Sequence, residues 1–220
     1  MNVYLEIQRR EWNEKDNKWK PWGCTHTGSL KESKKKNIKG ITLVAFPNMT
    51  VISTSDDIQT KWAVKEISKI NGPVYLRLAR LSTPIIYNEN QKFEIGKAVQ
   101  IGEGTDGTVF ATGVTVSEAI KAQENLKQKG INIRVVDVHT IKPIDKETII
   151  KCAKETQKLI SIEDHNIIGG LGSAISEVLT DEYPCKLIRL GIKDTFGKSG
   201  KGTELIEYFG ITNDDIEVIF

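Results

Sequence analysis

The chain has 220 residues, and its 31 lysines and arginines nearly balance its 29 acids, for a net charge of +2. With 39% apolar and 27% charged residues it reads as a globular chain with material for one domain and part of another, and so balanced a charge gives no field for nucleic acid. The three cysteines, Cys24, Cys152 and Cys185, are scattered with no C-x-x-C pair, which points to neither a zinc site nor a disulfide framework.

No apolar run approaches the ~18 residues of a membrane span. The N-terminus "MNVYLEIQRREWNEKDNKWKPWG" has no apolar signal core. A cytoplasmic protein without membrane or nucleic-acid partners is expected.

Residues 1–40 show no sustained period, and we expect a poorly ordered, atypical segment there. Its run "KESKKK", Lys31–Lys36, reads as a solvated face. Regular pattern starts at Ile41. "ITLVAF" and "MTVIS" read as buried strands on either side of Pro47 and Asn48. A helix follows, with Ile58, Trp62, Ala63, Ile67 and Ile70 near one face and Gly72-Pro73 as its stop. "VYLRLAR" alternates as a strand and carries Arg77 and Arg80 near its end. Residues 41–84 form a first unit. The polar stretch that follows, 85–92, reads as a linker.

From Phe93 strands and helices alternate. "GTVFATG" is a strand, followed by a helix that Thr115 and Glu118 would open as a capping box. "INIRVVDVH" is the next strand. Pro143 and Asp145 start a helix with Ile149, Cys152 and Ala153 inward. "KLISIED" is the third strand. The glycine loop "GGLGS" and a helix from Ser173 come next, then the strand "KLIRLGI" and a short helix in "KGTELIEYFG". This alternation predicts a mostly parallel sheet covered on both faces, over 93–220.

Four features are candidate chemistry. The glycine loop opens a helix, where free N–H groups and the helix dipole suit a phosphate. It lacks the lysine of a P-loop and the spacing of a dinucleotide fingerprint, so a tight strand-to-helix turn is the favoured reading and a free-standing anion site the other. "EDH", Glu163–His165, and "DVH", Asp137–His139, sit at carboxyl ends of strands, where open α/β sheets bind ligands. Metal spacing is absent within each segment, which favours structural polar groups. Arg77 and Arg80 end a strand, where the planar fork of Arg80 suits an anion and a solvated strand end is the equal alternative. His26 lies in the turn-like "GCTHTGS".

Taken in order, "FPNMTVISTSDDIQTKWAVKEI", "GPVYLRLARLSTPIIY", "VVDVHTIKPIDKETI", "EDHNIIGGLGSAISEVL" and "LGIKDTFGKSG" closely resemble the C-terminal section of bacterial transketolases, the half encoded as a separate subunit in some organisms. Looser versions occur in deoxyxylulose phosphate synthases and in the β subunit of pyruvate dehydrogenase. The resemblance implies a three-layer α/β/α sandwich on a five-stranded mixed sheet over 93–220, with "FEIGKAVQIGEG" as an antiparallel first strand. It also implies that 41–84 is a remnant of the pyrimidine-binding domain in an N-terminally truncated fragment.

Complete enzymes of this family bind thiamine diphosphate and a divalent metal, Mg2+, between domains of different subunits and move a two-carbon ketol unit between sugar phosphates. The implied partners are an N-terminal section or a second copy. The family's catalytic glutamate lies in a stretch like "GIAEQN", which the 220 residues do not contain. No catalytic, cofactor-binding or metal-ligating residue is therefore expected here, and the implied role is assembly or dimerisation. Arg80 aligns with the arginine that grips the substrate phosphate. His26 is the counterpart of a substrate-contacting histidine, although the segment after it is longer than the family's. The alternatives are a fragment of a deoxyxylulose phosphate synthase or pyruvate dehydrogenase β-like subunit and a non-catalytic α/β binding or interaction module.

Overall fold

The computed structural model describes residues 47–79 and 82–220, together with the backbone of three short strands in 1–21. The strand read from "ITLVAF", His26 and Arg80 lie outside the described residues.

Near the N-terminus, β1 (Val3–Leu5) stands apart from a hairpin of β2 (Arg10–Asn13) and β3 (Lys18–Pro21). The first unit continues with β4 (Thr50–Ser53), α1 (Asp57–Ile67) and β5 (Val74–Leu78). Asp56 caps α1, its carboxylate accepting the Gln59 N–H at 2.8 Å, a preferred use of Asp at a helix start. The inward face of α1 runs Gln59, Ala63, Ile67, three residues at i, i+4 and i+8. Ala63 and Ile67 pack on Ile52 and Leu76 from the two parallel strands.

The second unit holds β6 (Val99–Ile101), β7 (Gly107–Ala111), α2 (Thr115–Gln128), β8 (Ile133–Asp137), β9 (Thr140–Lys142), α3 (Lys146–Glu155), β10 (Leu159–Asn166), α4 (Leu171–Glu182), β11 (Leu187–Ile192), α5 (Gly202–Tyr208) and α6 (Asn213–Glu217). Its sheet has the order β11-β10-β7-β8-β6. Four strands are parallel, and β6 alone runs antiparallel, against β8. This is the five-stranded mixed sheet that the motifs imply.

Side-chain alternation along the buried strands divides the core in two. Val109, Ala111, Val135, Ile160 and Ile162 face α2, where Val116, Ala119, Ala122 and Leu126 meet them with Ile211 and Ile216. Phe110, Val136 and Leu159 point the other way, against Ile149 and Cys152 of α3 and Leu171, Ile175, Val178 and Leu179 of α4. Helices thus cover both faces, as three layers.

Some local details differ from the sequence reading. Thr115 and Glu118 form no capping box: α2 has Val114 at its N-cap with no side-chain bond. Thr115 already lies inside the helix, and its hydroxyl is within 2.9 Å of the carbonyls of Thr112 and Ile162. A capping box exists instead at α6, between Thr212 and Asp215, a helix the periodicity does not signal because it spans only five residues. The helix after the glycine loop starts at Leu171 rather than Ser173.

The strand β9 is the larger surprise. It belongs in sequence to the second unit but pairs antiparallel with β4 of the first, so the smaller sheet reads β1-β5-β4-β9. The two sheets are therefore joined by backbone as well as by side chains.

Phe110 is wholly buried at the centre of the α3/α4 layer. Replacing it by alanine should cost about 3–5 kcal/mol. Urea unfolding should report this as a lower midpoint with an unchanged slope.

Candidate functional site: the joint between the two sheets

The carboxyl ends of β4 and β5 meet the carboxyl ends of β7, β8 and β10. In an open α/β sheet that is where a ligand crevice would lie. Here each sheet fills the other's crevice. The Ser53 N–H donates to the His139 carbonyl at 2.8 Å. At Gly113, with φ of +60°, a Cβ would sit 3.0 Å from Ser53 Oγ, so a side chain there would be strained and would crowd the opposing strand.

Asp137, the last residue of β8, is the hub. It is fully buried. Its Oδ2 accepts the Tyr87 hydroxyl at 2.7 Å and the Gln59 amide at 2.9 Å, and the Ser55 hydroxyl lies at 3.0 Å. Gln59 is held in turn by its carbonyl, 2.8 Å from the Ser55 N–H. Burial pushes the Asp137 carboxyl up to about 6, while its three donors pull the other way. Tyr87 is raised from its ordinary value by burial first and by the Asp137 charge next.

Tyr87 comes from the stretch read as a linker. No regular element forms there, yet it is firmly held: Asp56 Oδ2 accepts the N–H groups of Ile86 and Tyr87, each at 2.9 Å. Beyond it Phe93 packs edge-on against Tyr87, at 4.9 Å between ring centroids, and against His139 at 5.8 Å. Trp62 closes the same group, 5.0 Å from His139. Burial among these rings lowers His139 to about 4, so the imidazole is neutral. Its Nδ1 meets the Thr140 hydroxyl at 2.9 Å.

A second contact links β5 to β10. Arg77 donates to the carbonyl of Asp164 and, at 3.2 Å, to its carboxylate. Arg77 is thus engaged within the protein.

The glycine loop answers to Glu163. Its carboxylate accepts the Leu171 N–H at 2.7 Å and the Gly172 N–H at 2.8 Å. These are the first free donors of α4, the groups a phosphate would use. A Cβ at Gly170 would fall on Glu163 Oε2, and at Gly172 it would come within 2.7 Å of Ser161 Oγ. The glycines therefore admit the protein's own carboxylate, and the anion-site reading of this loop is corrected: the seat is taken from within. Burial pushes Glu163 up to about 7 against the pull of those two N–H groups.

The sequence signals Asp137, His139, Glu163, Asp164 and Arg77 as polar residues at strand ends; the structure brings four of them to the joint, while Glu163 turns to the start of α4. It does not signal Ser55, Asp56, Gln59 or Tyr87 as their partners. Gln59 is legible only as a polar residue at an i, i+4 step on the apolar face of α1, and Tyr87 only as an aromatic within a polar stretch.

Residues 96–216 match the family described as "Transketolase, C-terminal domain". The chain belongs to the transketolase family. Among its relatives is a putative transketolase C-terminal section of Methanocaldococcus jannaschii, 46% identical over 175 residues, which cover 78% of this chain and 54% of that protein. Another is a 6-deoxy-6-sulfo-D-fructose transketolase subunit of Clostridium sp., 42% identical over 78% of this chain and 53% of its own length. Transketolase of Rattus norvegicus is 38% identical over 78% of this chain and 28% of its length. Among solved structures, one described as a split gene transketolase, inactive beta4 tetramer, matches with a TM-score of 0.77 and 39% identity, over 80% of this chain and 58% of that one. The chain therefore spans about half the length of its relatives from split transketolases.

Complete transketolases depend on thiamine diphosphate. At the glycine loop, the helix N-terminus that could seat a diphosphate is already held by Glu163.

Gly170→Ala should displace Glu163 from the start of α4 and leave buried donors and a buried carboxylate poorly paired. A loss of about 2–4 kcal/mol is expected from such a buried network. Thermal unfolding beside a Gly130→Ala control, where a Cβ meets nothing within 4 Å, checks it: Gly170→Ala should be clearly the more destabilised, although Gly130, at φ +80°, carries its own backbone strain.

Proposed function

We propose that this chain is the C-terminal section of a split transketolase-type enzyme and contributes assembly rather than chemistry. The complete enzyme would carry a two-carbon ketol unit between sugar phosphates with thiamine diphosphate and Mg2+. A partner, such as an N-terminal section, would supply the groups that hold the coenzyme. Within this reading Arg80 grips the substrate phosphate and His26 contacts the sugar, in a cytoplasmic setting.

The observation that carries the reading is the identity of 46% and 42% with proteins named as the C-terminal section and as a subunit of transketolases. The absence of a "GIAEQN"-type stretch from the 220 residues supports a chain that does not activate thiamine by itself. The related structure described as an inactive beta4 tetramer supports association without turnover. The joint also favours this role, because its strand ends are occupied by each other rather than shaped around a substrate.

Purified chain incubated with a ketose phosphate, an aldose phosphate, thiamine diphosphate and Mg2+ should give no ketol transfer. Sedimentation should show self-association or a complex with an N-terminal transketolase section. Turnover by the chain alone, or a monomer under both conditions, would overturn the proposal.

A further inference from the structure

Asp56 and Asp137 are both buried, at 3% and 0% exposure, and they hold the same two residues from opposite ends. Asp56 accepts the backbone N–H of Gln59 and of Tyr87. Asp137 accepts the side-chain amide of Gln59 and the hydroxyl of Tyr87. Ile86 N–H and the Ser55 hydroxyl complete the donors. All of these donors are neutral, so neither charge is cancelled by them. Two carboxylates in one dry site disfavour each other's ionisation. Asp56 has all its bonds to backbone N–H groups, which only an acceptor satisfies. Asp137 differs: Oδ2 takes three donors while Oδ1, also buried, has no hydrogen-bond partner among the described residues. A proton has one vacant place to go.

The other titratable groups at the joint are few. Tyr87 of the linker is raised and stays neutral. His139, two residues beyond Asp137, is neutral because burial lowers it, with the Asp145 charge at the start of α3 opposing. The Arg77 charge bears on Glu163 and His165 of β10.

We propose that the joint between the two sheets is proton-linked: in mildly acidic solution it takes up one proton, from solvent onto Oδ1 of Asp137, and holds the two units more tightly in that state. The inference concerns the joint and stands apart from the transketolase reading. The sign follows from the carboxyl being raised to about 6 in the folded chain from 3.8. Between those values the folded state binds more protons than the unfolded one, so this contribution weakens as pH rises and is fully lost above about 6. His139 acts oppositely, costing stability as pH falls below 6.5, and Glu163 acts in the same sense as Asp137. A comparison with a variant at Asp137 cancels both.

Stability of the full chain and of Asp137→Asn should be measured by urea unfolding from pH 4.5 to 7.5. The ratio of their folding constants should move in favour of the variant as pH rises from 4.5 to 6, by up to tenfold per pH unit, and level off above. A flat ratio would overturn the proposal. If the variant does not fold, the carboxyl carbon of Asp137 in the unaltered protein can be followed by 13C NMR. A midpoint near 6 supports the proposal, and one at or below the ordinary aspartate range overturns it.

Discussion

A single buried carboxylate gathers this protein. Asp137 ends a central strand of the larger sheet and draws in the turn before α1 through Ser55, α1 itself through Gln59, and the connecting segment through Tyr87. The neutral donors offset part of the cost of burying this carboxyl, and an acceptor left without them would be costlier still. The chain order at the joint follows from this. The turn, the helix and the connection must all be in place before Oδ2 of Asp137 has its three donors, which couples the two units where they meet. The strand β9 adds the backbone counterpart, since a segment of the second unit completes the sheet of the first.

The same principle governs the glycine loop. Glu163 supplies from within the negative charge that a helix N-terminus attracts. An anion site and an internal cap use the same donors, and the spacing of glycines does not distinguish them. What distinguishes them is the residue eight positions before Leu171, whose carboxylate reaches over because the strand and the helix are packed without a Cβ between them. The motif that best identifies the family therefore serves packing at its own location.

Both halves of the joint lie where α/β sheets usually place ligands. The strand ends of the smaller sheet bring Ser53 and Arg77, and those of the larger sheet bring Gly113, Asp137 and Asp164. Because they meet each other, polar strand-end residues act here as the glue between units. This accounts for ionisable residues in a position that elsewhere signals catalysis.

The sequence by itself determined the layered architecture, the antiparallel first strand of the second unit and the membership in the transketolase family. The layers rest on local signals, Val and Ile alternating in strands and apolar steps of three and four in helices, whereas the antiparallel strand and the family rest on a resemblance carried by the order of the motifs. It also placed Asp137, His139, Glu163 and Asp164 at strand ends. Only the tertiary structure decided what they touch. Tyr87 lies 50 positions from Asp137 and Gln59 lies 78 positions away, and no local period encodes a contact at that separation. The lending of β9 to the other sheet was equally hidden, because a three-residue strand has too few positions to show which partner it will pair with. Burial then fixed the charge behaviour of these groups, since the same carboxyl is an ordinary acid in water and a reluctant one in a dry joint.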